Sequence, residues 1–361
     1  MRAALHRRLL RLAMEQHLGH VIPAASIVVE PLVTTRKERL RVTEACSIGC
    51  SLVVPAKNAD QPELLSKSTK LDLTSFSRMN LSFARQNEVI SHLAGFRFLT
   101  QPQIDQFLFA GSSLTALSRQ VIVRRLLARL RTQGLVQATP RVVAPAGGTA
   151  RLVYFLTAAG YNRARDGNSA LRAGRPGIRS NTLMEHGLAC ADVALAYRRL
   201  ARSRPGHEVL EWECDWQAAE RLGSTVVVPD AHMSYATPSD TLEAFIEVDR
   251  ATEGSKVFKR KVRRYLDLYW SGDWRRHLKE WPIVFTVTTS ATRARLLKRV
   301  TETVLDAQYE GARIYRMTKF RFATLDDVIA PAGPFAQIWH RAGESGLHAV
   351  VVERPPVAST P

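Results

Sequence analysis

Val226-Val227-Val228-Pro229-Asp230 and Phe245-Ile246-Glu247-Val248-Asp249 are the two segments of this chain whose residue types and spacing can do chemistry. Each reads as a short, β-branched strand ending in acid, and residues 234–240 between them are turn-rich. Alternation along a strand puts Glu247 and Asp249 on one face, about 7 Å apart. A neighbouring strand carrying Asp230 brings a third carboxylate to the same edge. Three carboxylates gathered there repel one another unless a cation or a proton neutralises them. Asp230, Glu247 and Asp249 are therefore the expected ligands of a hard divalent ion, Mg²⁺ or Mn²⁺. An ion so held supplies an activated water and neutralises charge at phosphorus, and a lysine within reach completes the minimum for phosphodiester hydrolysis.

The elements that must position these acids follow from periodicity. The spacing predicts a helix over 183–202, with His186 beside Glu185 near its start and a candidate for the same cleft. Strands are expected over 209–216, 225–230 and 242–249, then a helix over 255–270, a strand over 282–289, a helix over 291–307 and a strand over 312–320. That order describes a mixed sheet flanked by helices. Upstream, three helical segments are expected: 84–94, a second capped by Thr100 with Pro102 in its first turn, and a third over 115–132 ending at Gly134. Ile122, Leu126 and Leu130 give the third an apolar row. Arg119, Arg124, Arg125, Arg129 and Arg131 occupy much of the rest, with no acid among them. A hairpin follows, turning at Gly147-Gly148 and returning through Arg151 to residues 152–156. Three helices and a hairpin are the order of a winged helix-turn-helix, whose third helix enters the major groove.

The expected chain is thus α/β (α+β): a poorly ordered basic extension (1–78), a winged helix-turn-helix (79–165), a Gly/Arg/Ser-rich linker (166–182), an α/β domain with a mixed sheet (183–330) and a tail (331–361). Its net charge of +18 is concentrated. Residues 79–180 hold 14 arginines, no lysine and three acids, which calls for a polyanionic partner, double-stranded DNA first. RNA is the weaker choice, because that region offers for stacking only Phe96, Phe98, Tyr154 and Tyr161. No run approaches eighteen apolar residues, so no membrane span is expected. The four cysteines do not complete a zinc pattern, and reduced thiols in a cytoplasmic protein are the expectation.

Pro-Asp, then Glu-x-x on the next strand of an α-β-β-β-α-β order, resembles the PD-(D/E)xK nucleases, which have a restriction-endonuclease-like fold. That resemblance implies a lysine at the third motif position, where this chain has Asp249, and some of those nucleases place it on the following helix. Lys261, which shares a helix face with Tyr265 at i, i+4, is the first choice for that catalytic role beside Glu247, and Lys256 the second. Over residues 95–330 the chain also looks like the replication-relaxation family of bacterial plasmids and mobile elements. The residues are Phe98-Leu99-Thr100 with Gln103, the arginine-rich helix ending in Gly134-Leu135, Tyr154-x-Leu156-Thr157-x-x-Gly160, His186, Pro229-Asp230, Glu247-Val248-Asp249-Arg250-Ala251-Thr252, Lys261-x-x-x-Tyr265 and Trp281-Pro282. This resemblance implies a role in DNA replication, relaxation or transfer beside relaxase or replication proteins. The substitution of Asp249 keeps open a second expectation, a DNA-binding regulator that uses a degenerate nuclease fold for dimerisation or docking.

Overall fold

The computed structural model describes residues 81–141, 151–167, 180–222, 227–252, 254–308 and 313–350, with the backbone of three strands nearer the N-terminus. The chain divides into two compact units, residues 1–84 and 85–361. In the first, β1 (Ile27–Leu32), β2 (Arg39–Glu44) and β3 (Ser51–Pro55) form an antiparallel meander. The rest of the expected extension lies outside the described residues.

Helix α1 (residues 81–96) leads into the second unit and is followed by β4 (Leu99–Thr100), α2 (Gln101–Phe109) and α3 (Ala116–Thr132). The hairpin strands β5 (Val136–Pro140) and β6 (Leu152–Leu156) close a small sheet of order β4-β6-β5. Thr100 and Gln103 cap α2 reciprocally, with Pro102 in the first turn; both leading backbone N–H groups are thereby satisfied. Gly134 ends α3 in the left-handed region, φ 70°, where a side chain would be strained. The turn of the hairpin lies outside the described residues. Helix α4 (Ala158–Gly167) continues into the stretch expected as linker. Its Gly160 sits so close to the chain that an added Cβ would lie 2.1 Å from the Leu135 carbonyl oxygen, which accounts for the glycine in the Thr157-x-x-Gly160 run.

Helix α5 (Asn181–Ser203) is buried on two sides. Ala191, Ala194 and Leu195 complete the apolar core of α1–α3, while Ala189, Val193, Tyr197 and Leu200 lie on the large sheet. That sheet has six strands in the order β12-β11-β10-β9-β8-β7. Strands β7 (Glu208–Cys214), β8 (Ala231–Ala236) and β9 (Thr241–Asp249) are antiparallel, and β10 (Ile283–Thr288) and β11 (Phe320–Thr324) add parallel to β9. The opposite face is covered by α7 (Ser255–Ser271) and α8 (Ala291–Gln308) through Phe258, Val262, Leu266, Leu297 and Val304. The chain is mixed α/β, as expected.

Three expected elements are displaced. The strand placed over 225–230 lies instead at β8, past Pro229 and Asp230. Its sequence, Ala-His-Met-Ser-Tyr-Ala, hides its strand character because both faces are buried and His232 and Ser234 find partners inside the sheet. The strand expected over 209–216 ends at Cys214, and α6 (Asp215–Leu222) begins there. The strand expected over 312–320 is a short helix, α9 (Arg313–Thr318), with β11 starting only at Phe320; Thr318 Oγ1 donates to the Ile314 carbonyl one turn back. The segment beyond 330 extends the core: β12 (His340–Arg341) pairs with β11, and Trp339 is fully buried.

His232 crosses the antiparallel half of this sheet. Its Nδ1 lies 3.1 Å from Glu213 Oε2 and its Nε2 2.8 Å from Glu243 Oε2, with only 1% of the residue exposed. Arg221 also holds Glu213 at 2.6 Å, and Ser234 donates to Glu243. Burial alone would lower the imidazole pKa, but the two carboxylates outweigh it and raise the value above 6.5. Such a group contributes stability that is fully present below pH 6.5 and is lost as pH rises through its folded value. Melting temperature should therefore fall as pH is raised from 6.5, and His232→Gln should flatten that slope while lowering the melting temperature at pH 6 by some degrees, on the order of 2–4 °C per kcal/mol lost. Calorimetry of both proteins between pH 6 and 9 checks it; parallel curves would remove His232 from the account.

Candidate functional site

Asp230 immediately precedes β8, whose first residue Ala231 pairs with Ile246 of β9. The register sets Asp230 beside Glu247, and its Oδ2 accepts the Val248 backbone N–H at 2.7 Å. From one side α7 supplies Lys261, whose Nζ donates to Glu247 Oε2, and Tyr265, whose hydroxyl donates to Oε1 at 2.5 Å. The i, i+4 spacing on a helix packed over β9 aims both at one carboxylate. From the other side α5 supplies His186, with Nε2 3.2 Å from Asp230 Oδ1. Five residues singled out in the sequence thus meet at the end of β8 and β9.

The electrostatics push the two acids apart. Glu247, 2% exposed, has its pKa raised to about 7, first by burial and then by the neighbouring Asp230 charge, against the pull of Lys261 and Tyr265. Asp230 is held down to about 2: burial opposes ionisation, but Lys261, His186 and the Val248 N–H override it. Two neighbouring carboxyls with opposed tendencies are the pattern of a functional site. Their oxygens are donors of the kind Mg²⁺ and Mn²⁺ prefer.

Asp249 is placed differently from its expected role. Arg293 of α8 grips both its oxygens, at 2.8 and 2.9 Å, and Thr288 donates to it at 2.8 Å. Its pKa is lowered despite burial by these partners, so its charge is already balanced. Lys256 is exposed in the first turn of α7. On α3, Arg124, Arg125, Arg129 and Arg131 are exposed, whereas Arg119 turns back onto Asp105 of α2 at 3.3 Å. Arg151 is exposed at the start of β6. Phe96, Phe98 and Tyr154 are buried and offer no stacking surface.

Two features carried no signal that spacing alone could reach. Glu185, next to His186, accepts from Nε and Nη2 of Arg141 at the end of β5, at 2.7 and 2.5 Å, joining the hairpin to the helix that bears His186. Cys190, one turn after His186, has its Sγ 3.6 Å from His186 Nε2. His186 and Cys190 at i, i+4 were legible as a pair only once Asp230 was known to face them. Among the described residues, His186, Cys190 and Asp230 form one group whose donor atoms could hold an ion, and Glu211, Glu213 and His232 form another. Arg221 already occupies both glutamates of the latter.

No helix among the described residues is long and apolar enough to cross a membrane. No curated protein and no solved structure matches the chain. The replication-relaxation family matches residues 90–284, a span running from α1 through the three-helix module, α5, the Asp230–Glu247 edge and α7 into β10. That is more than half of the 361 residues, and the chain belongs to the replication-relaxation family.

Proposed function

We propose that this protein binds double-stranded DNA through a winged helix-turn-helix and acts in the replication, relaxation or transfer of a plasmid or mobile element, in the cytoplasm. The carrying observation is the outer face of α3, where Arg124, Arg125, Arg129 and Arg131 are exposed on a helix without an acid. Helix α2, a tight turn through Gly111, α3 and then the β5–β6 hairpin follow the docking order in which the second helix of the pair lies in the major groove. Relaxase or replication proteins at the same origin, and a second copy of the chain, are the partners this reading calls for.

The Asp230–Glu247–Lys261 cluster is, in this reading, a PD-(D/E)xK-like nuclease centre. A bound Mg²⁺ or Mn²⁺ would supply an activated water and neutralise charge at phosphorus. Asp230 and Glu247 would hold it, Tyr265 fixes the Glu247 carboxylate by donating to it, and Lys261 would turn from Glu247 to the attacking water or the phosphoryl oxygens. Lys261 takes the place that Asp249 vacates in the usual motif, from the following helix. The Asp249–Arg293 pair favours a second reading, in which the nuclease fold is degenerate and serves docking within a non-enzymatic regulator.

Replacing Arg124 and Arg125 together by Ala should weaken binding of the full chain to duplex DNA at least tenfold, at about 1 kcal/mol or more per lost contact. The slope of log affinity against log salt should fall by about 2 if both arginines reach phosphates. Fluorescence anisotropy over a salt series reads both, and unchanged affinity would take α3 out of the interface.

For the cluster, we expect Mn²⁺-favoured nicking of supercoiled plasmid carrying sequences of the protein's own replicon. Glu247→Ala should abolish it and Lys261→Ala should reduce it at least a hundredfold, the scale on which one charge-stabilising donor acts, with DNA affinity intact in both. Plasmid left supercoiled by the wild-type protein in Mg²⁺ and in Mn²⁺ would leave the non-enzymatic regulator as the better account.

A further inference from the structure

Nitrogen, sulfur and oxygen donors converge on one point beside the Asp230–Glu247 pair. His186 Nε2 is 3.2 Å from Asp230 Oδ1 and 3.6 Å from Cys190 Sγ, and the three donor atoms all lie within 4.8 Å of one another. One imidazole nitrogen cannot satisfy both neighbours with a single proton. For a tetrahedral ion with Zn–N, Zn–O and Zn–S bonds of about 2.0–2.3 Å, the N···O edge is about 3.4 Å and the N···S edge about 3.6 Å. The observed separations are close to those edges. His186 and Cys190 share a face of α5 at i, i+4, and Asp230 is fixed opposite them by its bond from the Val248 N–H.

The same three residues line a cavity, together with Gly187, Cys214 and Asp215. The cavity gives an ion and a further ligand access to the point where the donors meet. Cys190 and Cys214 are both unpaired thiols, so sulfur is available as thiolate once an ion displaces its proton.

We infer that His186, Cys190 and Asp230 form a site for a borderline divalent ion of the Zn²⁺ or Co²⁺ kind, distinct in chemistry from the oxygen-only site proposed for Mg²⁺ or Mn²⁺. A thiolate and an imidazole select such ions over hard ones, which prefer carboxylates and water. Binding replaces the proton of the Cys190 thiol and any proton on His186 Nε2, and both leave to solvent; no bond to carbon is made or broken. Three protein ligands leave a fourth position open to the cavity. The inference needs neither Glu247 nor Lys261; it shares Asp230 with the oxygen-only site, and a thiolate signal, which the nuclease reading does not call for, tests it separately.

The experiment is a Co²⁺ titration of the full chain carrying Cys46→Ser and Cys50→Ser, which confines any thiolate signal to the two remaining cysteines. The expected result is a sulfur-to-cobalt charge-transfer band in the near ultraviolet, with visible bands of tetrahedral intensity, saturating at one equivalent. Zn²⁺ should displace the cobalt and an excess of Mg²⁺ should not. Cys190→Ser should abolish the charge-transfer band, and His186→Gln, at a less buried position, should weaken Co²⁺ binding at least tenfold. Glu247→Gln should leave the spectrum intact, even though it removes the Mn²⁺-dependent nicking. Absence of a charge-transfer band in the parent, or a band that persists unchanged in Cys190→Ser and His186→Gln, overturns the inference.

Discussion

The cost of burying the Glu247 carboxyl governs the arrangement around it. A carboxylate removed from water in the middle of a six-stranded sheet is destabilising by several kcal/mol unless its oxygens are met by donors and its charge by a cation. The fold meets that requirement from α7, which must lie across β9 in a register that brings Lys261 and Tyr265 over one residue. The Pro229-Asp230 bend must then stop short of β8 so that Asp230 can turn onto the Val248 amide instead of adding a second buried strand residue. Helix α5 brings His186 to the remaining oxygen. Removing the glutamate would leave α7 held to the sheet by its apolar face, Phe258, Val262 and Leu266, and leave Lys261 and Tyr265 without this acceptor.

Lys261 was legible through the resemblance to nucleases that place the lysine on the following helix, whereas Asp230, Glu247 and the arginine face of α3 were legible because each depends on local periodicity. The caps at Thr100 and Gly134 were legible for the same reason. What escaped were decisions made by tertiary contacts. Asp249 has the same alternation as Glu247, and only the approach of Arg293 from α8, 44 residues on, assigns it to an ion pair. Strand β8 escaped because burial on both faces erases alternation, and its polar residues are paid for by Glu243 across the sheet. Residues 313–318 have the β-rich composition of a strand, but they pack as a helix with Ile314 buried in the core under α7 and α8.

The division of labour between the two faces of the large sheet follows from alternation along β9. Ile246 and Val248 face α5, while Phe245 joins the core beneath α7 and α8. Glu247 and Asp249 lie on the latter side and are met by different helices, α7 and α8. One strand therefore presents two acids with separate partners, and a pattern that reads as a single trio of carboxylates is in space a pair plus an ion pair.

Helix α5 has one further consequence. Gln103 of α2 bonds the Leu188 carbonyl and Asp192, and Arg141 of the hairpin grips Glu185, while His186 on the same helix turns toward Asp230. The Gly/Arg-rich stretch before it therefore marks a break in the sequence pattern but not in the packing. A chain cut there would expose the apolar side of α1–α3 that Ala191, Ala194 and Leu195 now cover. Because both halves hold the same helix, α5 is the element through which a displacement of the hairpin at Arg141 would be felt at the His186 side chain.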